Sequence, residues 1–182
     1  MQVNNYPRGK AIAGGELSNL LGAEKWFEDY AWNTAGVKER TTGMKAKCRW
    51  VMNDTAGTLT ARQTVKYKAS YFGTRVGDQA DANDHADGIV DEFVGTVADQ
   101  SYFWLVVEGI TEAISDGNST LAQGDVVITI GTGTGKVRKQ DASAGTSAII
   151  ISQNSRVGVV AQSAVTAVDG TTFRIYLDSA SH

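Results

Sequence analysis

The longest unbroken apolar run in the chain is Tyr102 to Val107, within Ser-Tyr-Phe-Trp-Leu-Val-Val-Glu-Gly at 101–109. At a period of two, Tyr102, Trp104 and Val106 point to one face and Phe103, Leu105 and Val107 to the other, so both faces need cover. This predicts a central strand inside a sandwich or barrel, with packing on each side. From Lys45 the chain alternates again, with Ala46, Cys48, Trp50 and Met52 on one face and Lys45, Lys47, Arg49 and Val51 on the other. Asn53 to Gly57 reads as a turn into Leu59 and a strand over 64–69, where Lys66 and Lys68 oppose Val65 and Tyr67. Like charges on one hairpin face repel. Lys45, Lys47, Arg49, Lys66 and Lys68 are therefore expected to meet carboxylates of a neighbouring molecule, the alternative being a solvated face.

Residues 1–44 break the alternation with Gly9, Gly14, Gly15, Gly22, Gly36 and Gly43. Glu16 to Tyr30 places Leu17, Leu20, Leu21 and Phe27 near one helical stripe, which predicts a short helix weakened by Gly22. The segment is expected to be an arm too small to own a core. Its aromatics Trp26, Phe27, Tyr30 and Trp32 then pack on a partner surface, on an adjacent protomer, or as a lid on their own β domain.

The second half of the chain repeats the first. Residues 87–108 overlie 157–178 without gaps at an offset of 70, with Gly88/Gly158, Val90/Val160, Thr96/Thr166, Asp99/Asp169 and Phe103/Phe173 identical. Thr58-Leu59 and Val65 match Thr120-Leu121 and Val127 at an offset of 62. The fold class expected is thus mainly β, a barrel or sandwich of short antiparallel strands with internal duplication. Residues 1–44 would be the arm, and residues 45–182 one β domain of two similar units, 57–108 and 119–178.

Composition agrees with that class: 20 glycines, a single proline, and strands rich in Val, Thr and aromatics. One cysteine, Cys48, excludes an intramolecular disulfide and fits synthesis in a reducing cytoplasm. Residues 1–75 carry 12 Lys and Arg against 6 Asp and Glu, whereas 76–182 carry 5 against 14, an asymmetry within a net charge of −3. No basic patch is interleaved with exposed aromatics, so no nucleic acid is expected as a partner. No apolar stretch approaches the ~20 residues that cross a bilayer as a helix, so no membrane is expected either.

Chemical motifs fail on inspection. Gly131-Thr-Gly-Thr-Gly-Lys136 lacks the leading glycine and the Ser or Thr after Lys of a phosphate loop and reads as a hairpin tip. The acidic stretch Asp78 to Glu92, with His85, has Ala86 where a calcium loop needs glycine, so it reads as a solvated loop. No nucleophile and base share a motif, and Asp99 and Asp169 read as turn residues. The expectation is no enzyme, no catalytic residues, no metal and no cofactor.

The runs Lys47-Cys-Arg-Trp-Val-Met-Asn-Asp-Thr-Ala-Gly-Thr-Leu59, Ala86-Asp-Gly-Ile-Val-Asp-Glu-Phe93, Tyr102 to Gly109, Gly124-Asp-Val-Val127 and Val157-Gly-Val-Val-Ala161 resemble tailed-phage head decoration (capsid cement) proteins. The resemblance covers about residues 46 to 178 and leaves the aromatic arm outside the family's pattern. It implies small β modules, often trimeric, that assemble on the outside of an expanded capsid and clamp its subunits against the pressure of packaged DNA. The implied partners are the major capsid protein and further copies of the chain, with a trimer favoured. The implied location is the virion surface. A tail-fibre or adhesin module that binds host-surface glycans shares most of these traits and is the alternative.

Overall fold

The computed structural model describes residues 8–32, 35, 38–81, 84–118, 120–130, 135–141, 155–163, 165, 166 and 168–178; the side chains of 15–17, 30–32 and 38–42 are not described. The chain opens with β1 (Ile12–Ala13), a 3-10 turn over Gly15–Leu20, β2 (Glu24–Trp32) and β3 (Lys38–Asn53). Six strands follow: β4 (Leu59–Thr60), β5 (Thr64–Tyr67), β6 (Arg75–Gln79), β7 (Gly88–Val90), β8 (Thr96–Val97) and β9 (Ser101–Ile114). Six more complete the chain: β10 (Thr120–Leu121), β11 (Val126–Thr129), β12 (Val137–Lys139), β13 (Arg156–Val160), β14 (Val165–Thr166) and β15 (Thr172–Leu177). The protein is mainly β and sandwich-like, as its alternation predicts.

Backbone pairing closes a small barrel. β9 pairs with β7, β7 with β5, β5 with β6, β6 with β3 in parallel, and β3 returns onto β9. Val51, Val65, Tyr67, Val76, Val90, Phe103 and Leu105 fill it, joined by Leu59 and Val97 from the β4–β8 ribbon. The outward side chains of the same strands, Trp50, Tyr102, Trp104 and Val106, belong to a second cluster continuous with Val127, Val137, Phe173 and Ile175. Strand β9 is thus buried on both faces because the two cores lie on opposite sides of it.

The later strands repeat these pairings: β10 with β14, β11 with β12 and β13, and β13 with β15. β9 completes this circuit too. Gly109 to Ile114 pair with β15, and the next residue, Ser115, bridges Val137 of β12 in parallel. Registers match as well as order. Val65 faces Gly88 as Val127 faces Gly158, Val90 faces Leu105 as Val160 faces Ile175, and Val51 faces Phe103 as Ala113 faces Phe173. One strand therefore serves two barrels in succession, its first half closing one and its second half opening the next.

Glycine is forced where strands approach closely. A Cβ on Gly88 would lie 2.7 Å from the Val106 carbonyl oxygen, and one on Gly158 would collide with the carbonyl oxygen of Tyr176, the equivalent residue. At Gly109, φ is 92° and a Cβ would strike the Lys45 carbonyl, just where β3 crosses onto β9.

The helix expected over Glu16 to Tyr30 is corrected by the structure to the one 3-10 turn followed by β2. Gly22 has φ of 83°, outside the helical range, and its N–H donates to the Trp50 carbonyl while Trp50 N–H donates to Ala23. The edge of β3 thus captures the backbone, and Phe27 gains a place on Trp104 that a helix would not give it. β3 runs unbroken across residues 44 and 45, so the arm and the barrel share a strand.

Candidate functional site

Trp26 is exposed on β2, and Phe27, pointing the other way, sits edge-on to Trp104 with ring centroids 5.2 Å apart and is partly buried against the core with Ile12, Leu20 and Leu21. Tyr30 and Trp32 lie on β2, opposite Arg40 and Lys38, but their side chains fall outside the described residues. The five cations do not share a face. β3 and β5 are not neighbours, because β6 lies between them. Lys45, Lys47 and Arg49 follow Val51 along one side of β3, whereas Lys66 alternates with Val65 and Tyr67 and points out of the barrel.

Carboxylates of the same chain meet four of these cations. Glu24, cross-strand from Arg49, accepts hydrogen bonds from Arg49 Nε at 3.0 Å and Nη2 at 2.5 Å and holds Lys47 Nζ at 2.8 Å. Burial works against the Glu24 charge, yet the hydrogen bonds from Lys47 and Arg49 outweigh it and hold the carboxyl below the usual glutamate value. Lys66 pairs with Asp84 at 2.7 Å, and Lys68 pairs with Asp54 at 2.9 Å, where Arg75 joins at 3.2 Å. Lys45 is exposed. The like-charge problem read from the sequence is therefore solved largely inside the fold, and each of these half-exposed pairs contributes little stability.

The same network leads to two residues that the sequence reading did not single out. Arg49 Nη1 donates to the Tyr67 hydroxyl at 3.0 Å, and burial pushes that phenol up to about 12. Phe72 stands edge-on to the Tyr67 ring at 4.9 Å. Beside it, Tyr71 lies under the Arg75 guanidinium, 4.0 Å from ring centroid to Cζ. Both rings project from the β5–β6 connection, which is tightly tied. Tyr71 N–H donates to Lys68 O, Thr74 and Arg75 N–H both donate to Tyr71 O, and Lys68 N–H donates to Arg75 O. Gly73, at φ of 74°, turns the chain back toward Arg49.

Trp26, Tyr71 and Phe72 are 49%, 42% and 57% exposed, against complete or nearly complete burial for Trp50, Trp104 and Phe103. Large rings held out on a strand and a hydrogen-bonded turn, around an Arg–Glu–Lys cluster, have the composition of a protein-binding face, rich in aromatic and Arg side chains. Duplication supplies an internal control. At positions matching Lys47, Arg49 and Tyr67, the second barrel has Gly109, Thr111 and Thr129, and its β11–β12 connection, Gly131 to Lys136, carries no aromatic residue. The barrel does not need these side chains to form. Sequence reading missed Tyr71 and Phe72 because Ala69 to Thr74 resembles any polar turn with two rings, and nothing in their spacing says that they stay outside.

The remaining acidic stretch is largely committed. Asp84 holds Lys66, Asp87 accepts from Tyr67 N–H, and Asp91 holds Arg8. His85 is exposed. Among the described residues no three His, Cys, Asp or Glu side chains are placed to hold a metal ion. Residues 131–134 of the Gly-Thr tip lie outside the described residues, but the strands that flank it, β11 and β12, form an antiparallel hairpin.

No protein-family model matches the chain. No curated protein matches it either. Among solved structures, the chain is similar to the N base of head fiber gp8.5 of bacteriophage phi29, with a TM-score of 0.48 and 14% identity over 74% of this chain and 98% of that one.

Proposed function

We propose that the protein is a phage virion structural protein, docked on the outer capsid surface as a decoration protein that stabilises the head, and acting through surface contacts instead of catalysis. The observation that carries the reading is the exposed face of Trp26 on β2 and Tyr71 and Phe72 on the β5–β6 turn, around the Glu24–Arg49 pair, with no counterpart of Lys47, Arg49, Tyr67 or the turn's two rings in the second barrel. The resemblance of residues 46 to 178 to decoration proteins supplies the partner, the major capsid protein. Assembly as a homo-oligomer, a trimer first, belongs to the same reading, because repeated copies turn weak single contacts into strong attachment.

The test is sedimentation of the purified protein with heads that lack it, followed by heating of the decorated and bare particles. The proposal predicts saturable co-sedimentation and a higher temperature of DNA release from decorated heads. Binding to a glycan surface with no affinity for heads would replace it with the adhesin reading, in which the exposed rings stack on sugar.

A further inference from the structure

Where the N-terminal segment, β2, the β4–β5 turn, the turn after β7, β9 and β15 meet, three guanidinium groups face four carboxylates: Arg8, Arg62 and Arg174 against Asp29, Asp91, Glu92 and Glu112. Among the described carboxylates each cation has a short partner. Arg8 Nε lies 3.0 Å from Asp91, Arg174 Nη2 2.5 Å from Asp29, and Arg62 Nε 2.5 Å from Glu112. Glu92 is left over. Its Oε1 lies 3.6 Å from Arg8 and 3.8 Å from Arg174, beyond hydrogen-bonding reach, on a side chain only 4% exposed. That oxygen has no hydrogen-bond partner and is sealed from solvent, as is Asp91 Oδ2. A surplus buried carboxylate needs a positive charge of its own or must give up its charge.

We propose that Glu92 is a proton-binding site, neutral when the protein is most tightly closed, and that its ionisation loosens the hold of the N-terminal segment on the two barrels. Burial first, then the Glu112 carboxylate, pushes the Glu92 acid up to about 7, against the opposing pull of Arg174 and Arg8. Burial likewise keeps the nearby Cys48 thiol neutral, so it adds no charge. The ordinary value in the unfolded chain is near 4.5. A carboxyl raised in the folded state contributes stability that is complete below the unfolded value and is lost as pH rises through the folded one. Ionised Glu92 is attracted by Arg8 and Arg174, but burial outweighs that attraction, so the cost of the charge is one of lost hydration and is relieved when the segment that carries Arg8 opens and admits water. Arg8 is held there by the Asp91 bond and by the Phe93 ring, 4.7 Å from its guanidinium, and β1 follows at once on the edge of β9.

The test uses the full chain. Thermal midpoints measured from about pH 5 to about pH 9 should fall through neutral pH for the wild type and stay flat at that step for Glu92→Gln, which keeps the shape and removes the proton. Amide exchange at residues 9–13, corrected for its intrinsic pH dependence, should speed up as pH rises toward about 7 and level off above it, in the wild type alone. Carbon-13 titration of the glutamate carboxyls in the wild type reads the group directly even if the variant folds poorly. One glutamate titrating near 7 supports the site, and all of them titrating near the ordinary value overturns it. If replacing sodium by choline at constant ionic strength moves the wild-type midpoint but not that of Glu92→Gln, the surplus charge is met by a metal cation and the proton site is wrong.

Discussion

Trp50 lies directly across from Trp104 on β3 and β9, with ring centroids 5.0 Å apart and 67° between their planes. The matching pair in the second barrel is Glu112 across from Arg174. Position for position, the first barrel's outer face is apolar where it is covered, by Phe27 and the second core, and the second barrel's is charged where the Arg8–Glu92 cluster forms.

That placement makes Trp104 a stability residue. Truncation to Ala removes a ring in contact with both Trp50 and Phe27 from a packed core and is expected to cost about 3 to 5 kcal/mol. Denaturant unfolding measures it, and a Trp104→Ala protein as stable as the wild type would show that this strand does not lie between two cores.

Gly88 and Gly158 should be equally intolerant, because each faces a strand whose carbonyl occupies the space of a Cβ. Either Gly→Ala change is expected to destabilise by about 1 to 3 kcal/mol, the usual range for overpacking. Gly57→Ala, where the nearest atom to a Cβ is a threonine hydroxyl at 3.8 Å, is the control and should change stability by less than about 0.5 kcal/mol.

Removal of residues 1–23 should unfold or aggregate the protein instead of leaving a clean β domain. Ile12, Leu20 and Leu21 pack against the cluster of Trp50 and Trp104, and Arg8 neutralises a buried carboxylate. The readout is the cooperativity of thermal melting. A truncated chain that melts as sharply as the full one, at the same temperature, would make the segment a detachable arm.

Alternation and turn residues make the strands around Trp50 and Trp104 legible in the sequence, because a period of two is a local property. The offsets of 62 and 70 could be read for the same reason: Gly88 and Gly158, or Phe103 and Phe173, are fixed by backbone approach and core volume. What could not be read is long-range. The capture of Gly22 to Trp32 by the β3 edge, the insertion of β6 between β3 and β5, and the pairing of Lys47 and Arg49 with Glu24 all depend on which strands become neighbours. Exposure of Phe72 and burial of Phe27 are likewise set by the fold and by nothing in the residues beside them.

With Lys47, Arg49, Lys66 and Lys68 already matched inside the chain, attachment through the aromatic face should depend only weakly on salt. Affinity for heads is expected to change by less than about tenfold between low salt and several times physiological ionic strength. A steep decline would mean that the cations leave their internal partners and bind the capsid themselves.

The most direct measurement is head occupancy by a Trp26→Ala/Phe72→Ala double variant beside the wild type, with the melting curve of each as the folding control. Exposed rings contribute little to the fold, so stability should differ by no more than about 1 kcal/mol, whereas loss of two central contacts that together contribute about 2 kcal/mol or more should lower affinity by at least about thirtyfold. A double variant that melts like the wild type and still saturates heads at the same concentration would contradict the account and move attachment away from this face.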